Sequence, residues 1–538
     1  MLQNESQDIE QATTHLEAPD SKTRRYDRQL RLWAASGQAA LESARILVTS
    51  ASATSTSILK NLVLPGIGHF TILDSNETTP ADAGNNFFLN GHDSVGKPRA
   101  TEAVPLLREL NESVDGVADT RDLATLLKSK EGREWISSFS LVISHNLASQ
   151  TLEKLSAFLW ENDAYPPLIV VRSAGLLADF YLQIHEHSII ESHSETAPSL
   201  RLSKPFPALQ QWADSLDYDK IDPTEHAHVP FAIILIKEAD AWRQEHGGAL
   251  PKSYAEQKAF KAQVISRQRK IDEENFEEAE NQAVRMWSEK AVPSDIAALL
   301  EVAPRPDSAV KGNHAFHTLL QTLKRFVDHP SGPHSLPLTS SLPDMRTDTE
   351  SYVKIQKLYK EQARVESTLF KQILSETFPD LAIDEAMVDA FVKNSHHLKL
   401  IRGRQFGDFD KQQSEIRSGL EIYNKEVATH LALSALFNLL GRGNDPSSIT
   451  AEALRTEVET LISQDTALGD EVDEAIEDAV GEIARTPTAD VPNMAAFLGG
   501  LVAQEAIKLI TKQYVPVNGY CVVDLVGSWT GLVGQPPV

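Results

Sequence analysis

Short apolar runs alternate with helical patterns in the first third of the chain. Four of these runs are typical of strands that a parallel sheet buries on both faces; they are RILVT (45–49), HFTILD (69–74), FSLVISH (139–145) and PLIVVRS (167–173). Between the first two runs, STSILKNLVL (55–64) has a helical pattern that Pro65 and Gly66 end. The order strand, tight turn, helix, strand predicts a βαβ unit in an open, mainly parallel sheet.

Helical spacing of apolar residues dominates the long middle of the chain. FAIILIKEADAW (231–242) places its apolar residues on one face, and Ser253 with Glu256 predicts a capping box at the start of another helix. The segment HPSGPHSLPLTSSLPDM (329–345) contains four prolines, which predict an irregular connecting segment rather than a helix.

The strand-and-helix pattern returns near the end of the chain. MAAFLGGLVAQEAIKLIT (494–511) predicts an apolar helix that packs closely through Gly499 and Gly500. VPVNGYCVVDLV (515–526) predicts a hairpin centred on Asn518–Gly519. We therefore predict an α/β fold, in which a Rossmann-like, mainly parallel sheet domain is interrupted by a mostly α-helical insertion. The predicted boundaries are a mobile tail over 1–23, a first sheet part over 24–180, the insertion over 181–480 and a second sheet part over 481–538.

The charge and the cysteine count narrow the possible functions. The chain has 51 basic and 76 acidic residues, a formal net charge of −25, which disfavours nucleic acids and anionic membranes as partners. A single cysteine, Cys521, allows neither an internal disulfide nor a multi-cysteine zinc site. The polar start lacks a signal-peptide pattern, and the longest apolar run, VPFAIILI (229–236), is too short to span a bilayer. We expect a cytoplasmic or nuclear protein.

Four separated segments carry a family resemblance; they are RYDRQLRLW (25–33), LKNLVLPGIGHFTILD (59–74), GNNFFLNGHDSVGKPRA (84–100) and AAFLGGLVAQEAIKLITKQY (495–514). Together they resemble the adenylation fold of the ubiquitin-like-modifier activating enzymes. DEENFEEAE (272–280), and LPDM (342–345) ahead of DTESYVKIQKLY (348–359), make the chain most similar to regulatory subunits of heterodimeric neddylation activating enzymes. The resemblance implies a pseudosymmetric pair of adenylation folds, one of which binds ATP and magnesium and adenylates the modifier. A cysteine then takes the modifier as a thioester.

The resemblance also implies that this chain is the half without a working nucleotide site. Glycines of the family's phosphate loop, whose backbone amides approach the phosphates, correspond here to Ser50, Ser52, Ala53 and Ser55. Other nucleotide-handling positions carry Asn86 and Phe87 in place of an arginine, His145 before Asn146 in place of a magnesium-binding aspartate, and Arg99 in place of a lysine. Asp74 remains where the family has its ribose-binding acid, but one carboxylate after a strand is a weak signal. We expect no catalytic residue, cofactor or metal in this chain, with ATP and magnesium bound by its partner.

One residue is a candidate for a positive contribution to catalysis. The resemblance implies that Arg28, in the YDRQ segment, reaches in trans toward the ATP phosphates of the partner's site. Arg24, Arg25 and Arg31 are neighbours that could share this role, and a solvated or salt-bridged helix arginine is the alternative. Cys521 lies outside the insertion and is expected to be a buried strand residue. Metal binding is the alternative to ordinary surface histidines at two places, His185, His187 and His193, and His396 and His397.

The leading hypothesis is a regulatory subunit that binds the catalytic cysteine-bearing subunit and a ubiquitin-like modifier. It would support ATP-dependent adenylation and thioester formation on that partner. The alternatives are a sumoylation activating-enzyme subunit, a stand-alone nucleotide enzyme resembling a dinucleotide oxidoreductase, and a non-catalytic adaptor.

Overall fold

The computed structural model describes residues 20–191, 199–270, 273–302, 313–462 and 469–535. Within this part of the chain there are two compact units. One comprises the described residues of 190–302 and 314–399, and the other comprises the described residues of 20–189 and 400–535, together with Asn313. We refer to them as the helical unit and the sheet unit.

An eight-stranded sheet forms the centre of the sheet unit, in the order β10-β9-β6-β5-β4-β1-β2-β3. Strands β1 to β5 run parallel, and β10, β9 and β6 each pair antiparallel with the strand that follows them in that order. The predicted α/β class and mainly parallel sheet are therefore confirmed. The strands are β1 Arg45–Val48, β2 His69–Leu73, β3 Asp115–Asp119, β4 Leu141–His145, β5 Leu168–Ala174, β6 Leu177–Gln183, β7 Glu186–Ile189, β8 Lys399–Arg402, β9 Tyr520–Asp524 and β10 Trp529–Val533; β7 and β8 form a separate pair.

Helices surround the sheet because alternate residues of each buried strand point to opposite faces. In β1, Ile46 and Val48 belong to one core cluster, while Leu47 belongs to another. The sheet unit contains α1 Ser21–Ser43, α2 Ala53–Val63, α3 Pro80–Asn85, α4 Arg99–Arg108, α5 Leu123–Leu126, α6 Lys130–Ser137, α7 Ser149–Trp160, α18 Gln413–Ile422, α19 Asn424–Gly441, α20 Ala451–Ile462, α21 Asp470–Arg485 and α22 Pro492–Thr511. Helix α22 is long and apolar enough to cross a membrane, but it packs against α2 with Leu498 and Val502 in the core.

The helical unit contains α8 Pro207–Ser215, α9 Pro223–His226, α10 Phe231–Glu245, α11 Tyr254–Ile265, α12 Glu274–Gln282, α13 Arg285–Ser288, α14 Ser294–Leu300, α15 His314–Asp328, α16 Thr349–Thr377 and α17 Glu385–Lys393. The predicted capping box at Ser253 and Glu256 is confirmed at the start of α11. The proline-rich segment 329–345 contains no helix or strand, as predicted.

Three sequence-based boundaries differ from the structure, and the first of them is the end of the first sheet part, which lies at Ile189 rather than at residue 180. The sheet unit resumes at Leu400 rather than at residue 481, because α19 packs against β6 and shares a core cluster with α20 and α21. The last four residues of the predicted tail belong to the cap and first turn of α1, where Asp20 accepts a hydrogen bond from the Thr23 amide at 2.6 Å. The rest of that tail lies outside the described residues.

The predicted centre of the final hairpin is wrong. Strands β9 and β10 pair with Asp524 opposite Trp529, so the turn lies between these two residues. Asn518 and Gly519 instead lead into β9, and Gly519 has φ 128°. In the turn, the Asp524 carboxylate accepts hydrogen bonds from the Val526 and Gly527 amides, each at 2.7 Å. An aspartate therefore supplies the turn chemistry that the prediction assigned to Asn-Gly.

A buried ionic network joins α19 to the sheet. Arg172 of β5 faces Asp179 of β6, and its Nε donates to the carboxylate at 2.8 Å. His430 of α19 lies between two carboxylates, with Nδ1 2.9 Å from Asp179 Oδ2 and Nε2 2.6 Å from Asp410 Oδ1. The Arg172 guanidinium also donates to Ser434 at 3.1 Å, one helical turn beyond His430. Every charge here is paired, which is the condition under which buried ions are tolerated.

Replacing Arg172 with leucine should destabilise the sheet unit by about 3–5 kcal/mol, since the Asp179 carboxylate would lose its principal counter-ion while staying buried. The side chains of Arg172 and Asp179 are 5% and 1% exposed. The matched control is Arg364→Leu, which removes a bidentate pair with Glu361 whose side chains are 73% and 61% exposed, and its loss of stability should be much smaller because solvent screens this pair. Urea unfolding measures the free energy of unfolding of both variants. Equal losses of stability in Arg172→Leu and Arg364→Leu would contradict the prediction.

The contribution of His430 to stability should depend on pH. Burial alone lowers the pKa of His430, but the negative charge of Asp410 and hydrogen bonds to Asp179 and Asp410 raise it overall. A pKa raised in the folded state gives stabilisation that is complete below the unfolded value of about 6.5. It is lost as pH rises through the folded value. The difference in urea midpoint between wild type and His430→Gln should therefore shrink as the pH rises above about 6.5; a difference that grows would refute it.

Candidate functional site

The turn between β1 and α2 lies where a phosphate loop would lie, and its small residues bond to one another. Ser52 caps α2 by accepting a hydrogen bond from the Ser55 amide at 3.1 Å. The Ser52 hydroxyl donates to the Ser55 hydroxyl at 2.9 Å, and the Ser50 and Ser55 hydroxyls are 2.9 Å apart. None of the described residues from 49 to 55 has a positive φ. This turn therefore needs no glycine for its backbone path, and Ala53 simply begins the helix.

A carboxylate from the end of the chain occupies the anion-binding position of α2. Asp490 accepts hydrogen bonds from the Thr54 amide at 3.1 Å and from the Thr54 hydroxyl at 2.6 Å. Helix N-termini attract anions because their first amides are unpaired and the helix dipole is positive there. Asp490 thus takes the place that a phosphate takes in a working loop. Sequence reasoning missed this residue, whose one local signal is an aspartate just before the Val491–Pro492 start of α22.

Asp74, the residue at the ribose-binding position, is buried and forms an ion pair and hydrogen bonds within the chain. Its side chain is 1% exposed and lies 2.9 Å from the Arg99 guanidinium. It also accepts hydrogen bonds from the Ala51 amide at 2.8 Å and the Asn76 amide at 2.9 Å. Arg99 in turn pairs with Asp82 at 3.0 Å. The two charged residues at the family's nucleotide positions therefore pair with each other and brace the loop.

The other altered positions also face the loop. The Asn86 amide donates to the Ala51 carbonyl at 3.0 Å and its oxygen accepts from Thr56 at 2.8 Å. His145 lies with Nδ1 2.8 Å from the Ser52 hydroxyl and Nε2 2.9 Å from the Ser173 hydroxyl. Burial lowers the pKa of His145, against the opposing charge of Asp490. Phe87, in contrast, is 86% exposed and takes no part in this network.

The remaining candidates for metal or thiol chemistry are dispersed. Within the described ranges, no group of three or more His, Cys, Asp or Glu residues is arranged to hold a metal ion. His185 stacks on Trp160 at 3.8 Å, and burial lowers the pKa of His187 to about 3. His193 lies outside the described residues. Cys521 is buried in β9, and burial raises the pKa of its thiol to about 12, so the reactive thiolate is disfavoured.

Arg28 lies on the exposed surface of α1. Its neighbours Arg25 and Arg31 have partners: Arg25 donates to the Asn111 side-chain oxygen at 2.8 Å, and Arg31 pairs with Asp27 at 3.2 Å. No described residue accepts a hydrogen bond from the side chain of Arg28. Below it, buried Tyr26 anchors the helix by accepting a hydrogen bond from Asn111 at 2.9 Å. The helix then kinks after this segment, at Trp33 and Ala34, where Ala34 has φ 55°.

The mainly parallel sheet with its β1–α2–β2 unit defines a Rossmann-like protein, and residues 26–146 match the ThiF family. Three relatives span nearly the whole chain, and each is a NEDD8-activating enzyme E1 regulatory subunit. That of Xenopus laevis is 35% identical over 516 residues, 92% of this chain and 96% of the relative. That of Drosophila melanogaster is 34% identical, over 92% and 94% respectively. AXR1 of Arabidopsis thaliana is 33% identical, over 95% of both chains. The chain belongs to this family of NEDD8-activating enzyme E1 regulatory subunits.

Asp490 should stabilise the sheet unit as a helix cap. Asp490→Ala removes the acceptor of the Thr54 amide and the anion at the helix N-terminus, and should cost about 1–2 kcal/mol. Asp490→Asn keeps an oxygen acceptor without the charge and should cost less. Urea unfolding of the three proteins measures the ranking. An alanine variant as stable as wild type would show that the Asp490 contact is dispensable.

Proposed function

We propose that this regulatory subunit binds a catalytic cysteine-bearing subunit and supports its ATP-dependent chemistry. On that partner a neddylation modifier, a ubiquitin-like protein, is adenylated and passed to the cysteine as a thioester. The observation that carries the proposal is the closure of the chain's own nucleotide position by Asp490, Ser52 and Asp74. A bound triphosphate would have to displace Asp490 from the helix terminus. ATP and magnesium are therefore assigned to the partner.

The exposed face of α1 supports a contribution across the subunit interface. Arg24, Arg28 and Leu32 are spaced four residues apart and share one helix face. All three are exposed, and Leu32 remains 43% accessible. A large apolar side chain beside an unpaired guanidinium suits a protein contact that places the charge near phosphates. We assign Arg28 as the residue that reaches toward ATP in the partner's site.

The remaining assignments rest on composition. A net charge of −25 supports protein partners rather than nucleic acids or membranes. The buried, lone thiol of Cys521 is compatible with a reducing compartment, and we place the protein in the cytoplasm, the nucleus or both.

Arg28→Ala should slow adenylation in the reconstituted heterodimer by at least about tenfold, since an arginine supplied in trans stabilises charge on the transferring phosphates. Complex formation should be unchanged, because Arg28 is exposed and no described residue forms a hydrogen bond or an ion pair with its side chain. Arg31→Ala is the matched control on the same helix, removing only the exposed pair with Asp27. Pyrophosphate exchange measures adenylation, and gel filtration measures assembly.

Two results would contradict separate parts of the proposal. Adenylation by the Arg28→Ala heterodimer at the wild-type rate would contradict the trans role of Arg28 but would leave the proposed regulatory role of the chain unaffected. Saturable, magnesium-dependent ATP binding by the isolated chain in calorimetry would overturn the closed site and favour a self-sufficient nucleotide enzyme.

A further inference from the structure

The helical unit contains a cavity of about 580 Å³ that the proposed function does not use. This volume lies within the range of about 300–1,000 Å³ typical of small-ligand sites. Its apolar walls comprise Pro205, Phe206, Pro333, Leu336, Val365 and Leu369. One wall is the first part of the proline-rich segment 329–345, whose role the sequence leaves unexplained.

Hydrogen bonds hold this wall in a defined shape. The Gly332 amide donates to the His329 carbonyl at 2.9 Å, and His334 adopts the left-handed region at φ 54°. The Leu336 amide donates to the Ala291 carbonyl at 3.1 Å, and the Leu336 carbonyl accepts from Arg201 at 2.6 Å. A wall fixed at several points is preorganised, which lowers the entropic cost of binding a ligand.

Both acidic residues of the cavity are already neutralised. Glu366 pairs with Arg201 at 2.6 Å and accepts a further hydrogen bond from the Leu338 amide at 2.8 Å. Glu289 pairs with Arg285 at 3.1 Å. The cavity is therefore not negative in spite of these two carboxylates.

Several polar groups of the cavity remain available. Ser335 is 7% exposed, and no described group bonds to its buried hydroxyl. His396 Nε2 lies 3.1 Å from the Pro337 carbonyl, so this nitrogen carries the hydrogen and donates. Burial lowers the pKa of His396 to about 4, which leaves the ring neutral and its Nδ1 free to accept. Lys204 and Lys290 are exposed lining residues without an ion pair among the described residues.

We propose that this cavity binds an acylated amino acid. The apolar side chain of the ligand lies between the proline and phenylalanine walls, and its carboxylate lies near Lys204 and Lys290. Its amide N–H donates a hydrogen bond to Nδ1 of His396. The hydroxyl of Ser335 supplies a further donor to the carboxylate. This chemistry is found at the C-terminus of a protein chain and in a free N-acyl amino acid. The inference is independent of the proposed function, because all its residues belong to the helical unit.

The test is calorimetry of the full chain with N-acetyl-L-phenylalanine and with its uncharged amide. The acid should bind saturably, and the amide at least about tenfold more weakly, since it lacks the charge that the lysines attract. The double variant K204Q/K290Q should reduce binding of the acid to that of the amide, whereas K258Q, an exposed lysine outside the cavity, should change nothing. Val365→Trp, at a half-exposed wall position, should block both ligands by filling the cavity.

A four-residue peptide that ends in phenylalanine distinguishes the two sources. Tighter binding of the peptide than of the free acid identifies a protein C-terminus as the ligand, and weaker binding identifies the free compound. The proposal is overturned if acid and amide bind equally, if K204Q/K290Q leaves the affinity unchanged, or if neither the acid nor the peptide binds. Thermal unfolding of each variant confirms that the helical unit remains folded.

Discussion

The N-terminus of α2 imposes the constraint on which the rest of the site depends. A helix begins with unpaired backbone amides, which a nucleotide phosphate satisfies in a working loop. Here Thr54 donates to Asp490, Ser55 to the Ser52 side chain, and Thr56 to the Ser52 carbonyl. These amides of the helix N-terminus therefore have hydrogen-bond acceptors within the chain and need no ligand. Since Asp490 carries a negative charge, a phosphate would meet both a filled position and a like charge.

The need for an acceptor at the N-terminus of α2 also connects the two sequence segments of the sheet unit. Thr54 and Asp490 are 436 positions apart, and Asp490 directly precedes α22, which packs along α2. At this contact a Cβ on Gly499 would lie 2.8 Å from the Ser57 hydroxyl, so the predicted close approach is confirmed there. The prediction for Gly500 is wrong, because a Cβ on that residue would meet no atom within 4 Å. One small residue lets α22 approach α2, so that the cap can form.

The local pattern of the sequence predicted most of the sheet, and the exceptions have physical reasons. Strands β1, β2, β4 and β5 are apolar because both faces are buried. Edge strand β3, with the sequence DGVAD, has one fully buried residue and shows no such run. The helices over 413–485 have the same amphipathic pattern as the helices of the insertion. Such a pattern shows that one face of a helix is buried, but it does not show which element covers that face. The contacts of Arg172 with His430 and of Thr54 with Asp490 join distant segments, so spacing could not reveal them.

The residues at the family's nucleotide positions interact with one another, which their residue types alone could not show. With Asp490 fixed on α2, a carboxylate at position 145 would be buried against a second carboxylate, and without a cation between them each would raise the other's pKa. A neutral histidine removes this repulsion and supplies hydrogen bonds to Ser52 and Ser173. Similarly, the Asp74 carboxylate pairs with the Arg99 guanidinium at 2.9 Å. The serines, the histidine and the two aspartates therefore form one arrangement of hydrogen bonds around the turn between β1 and α2.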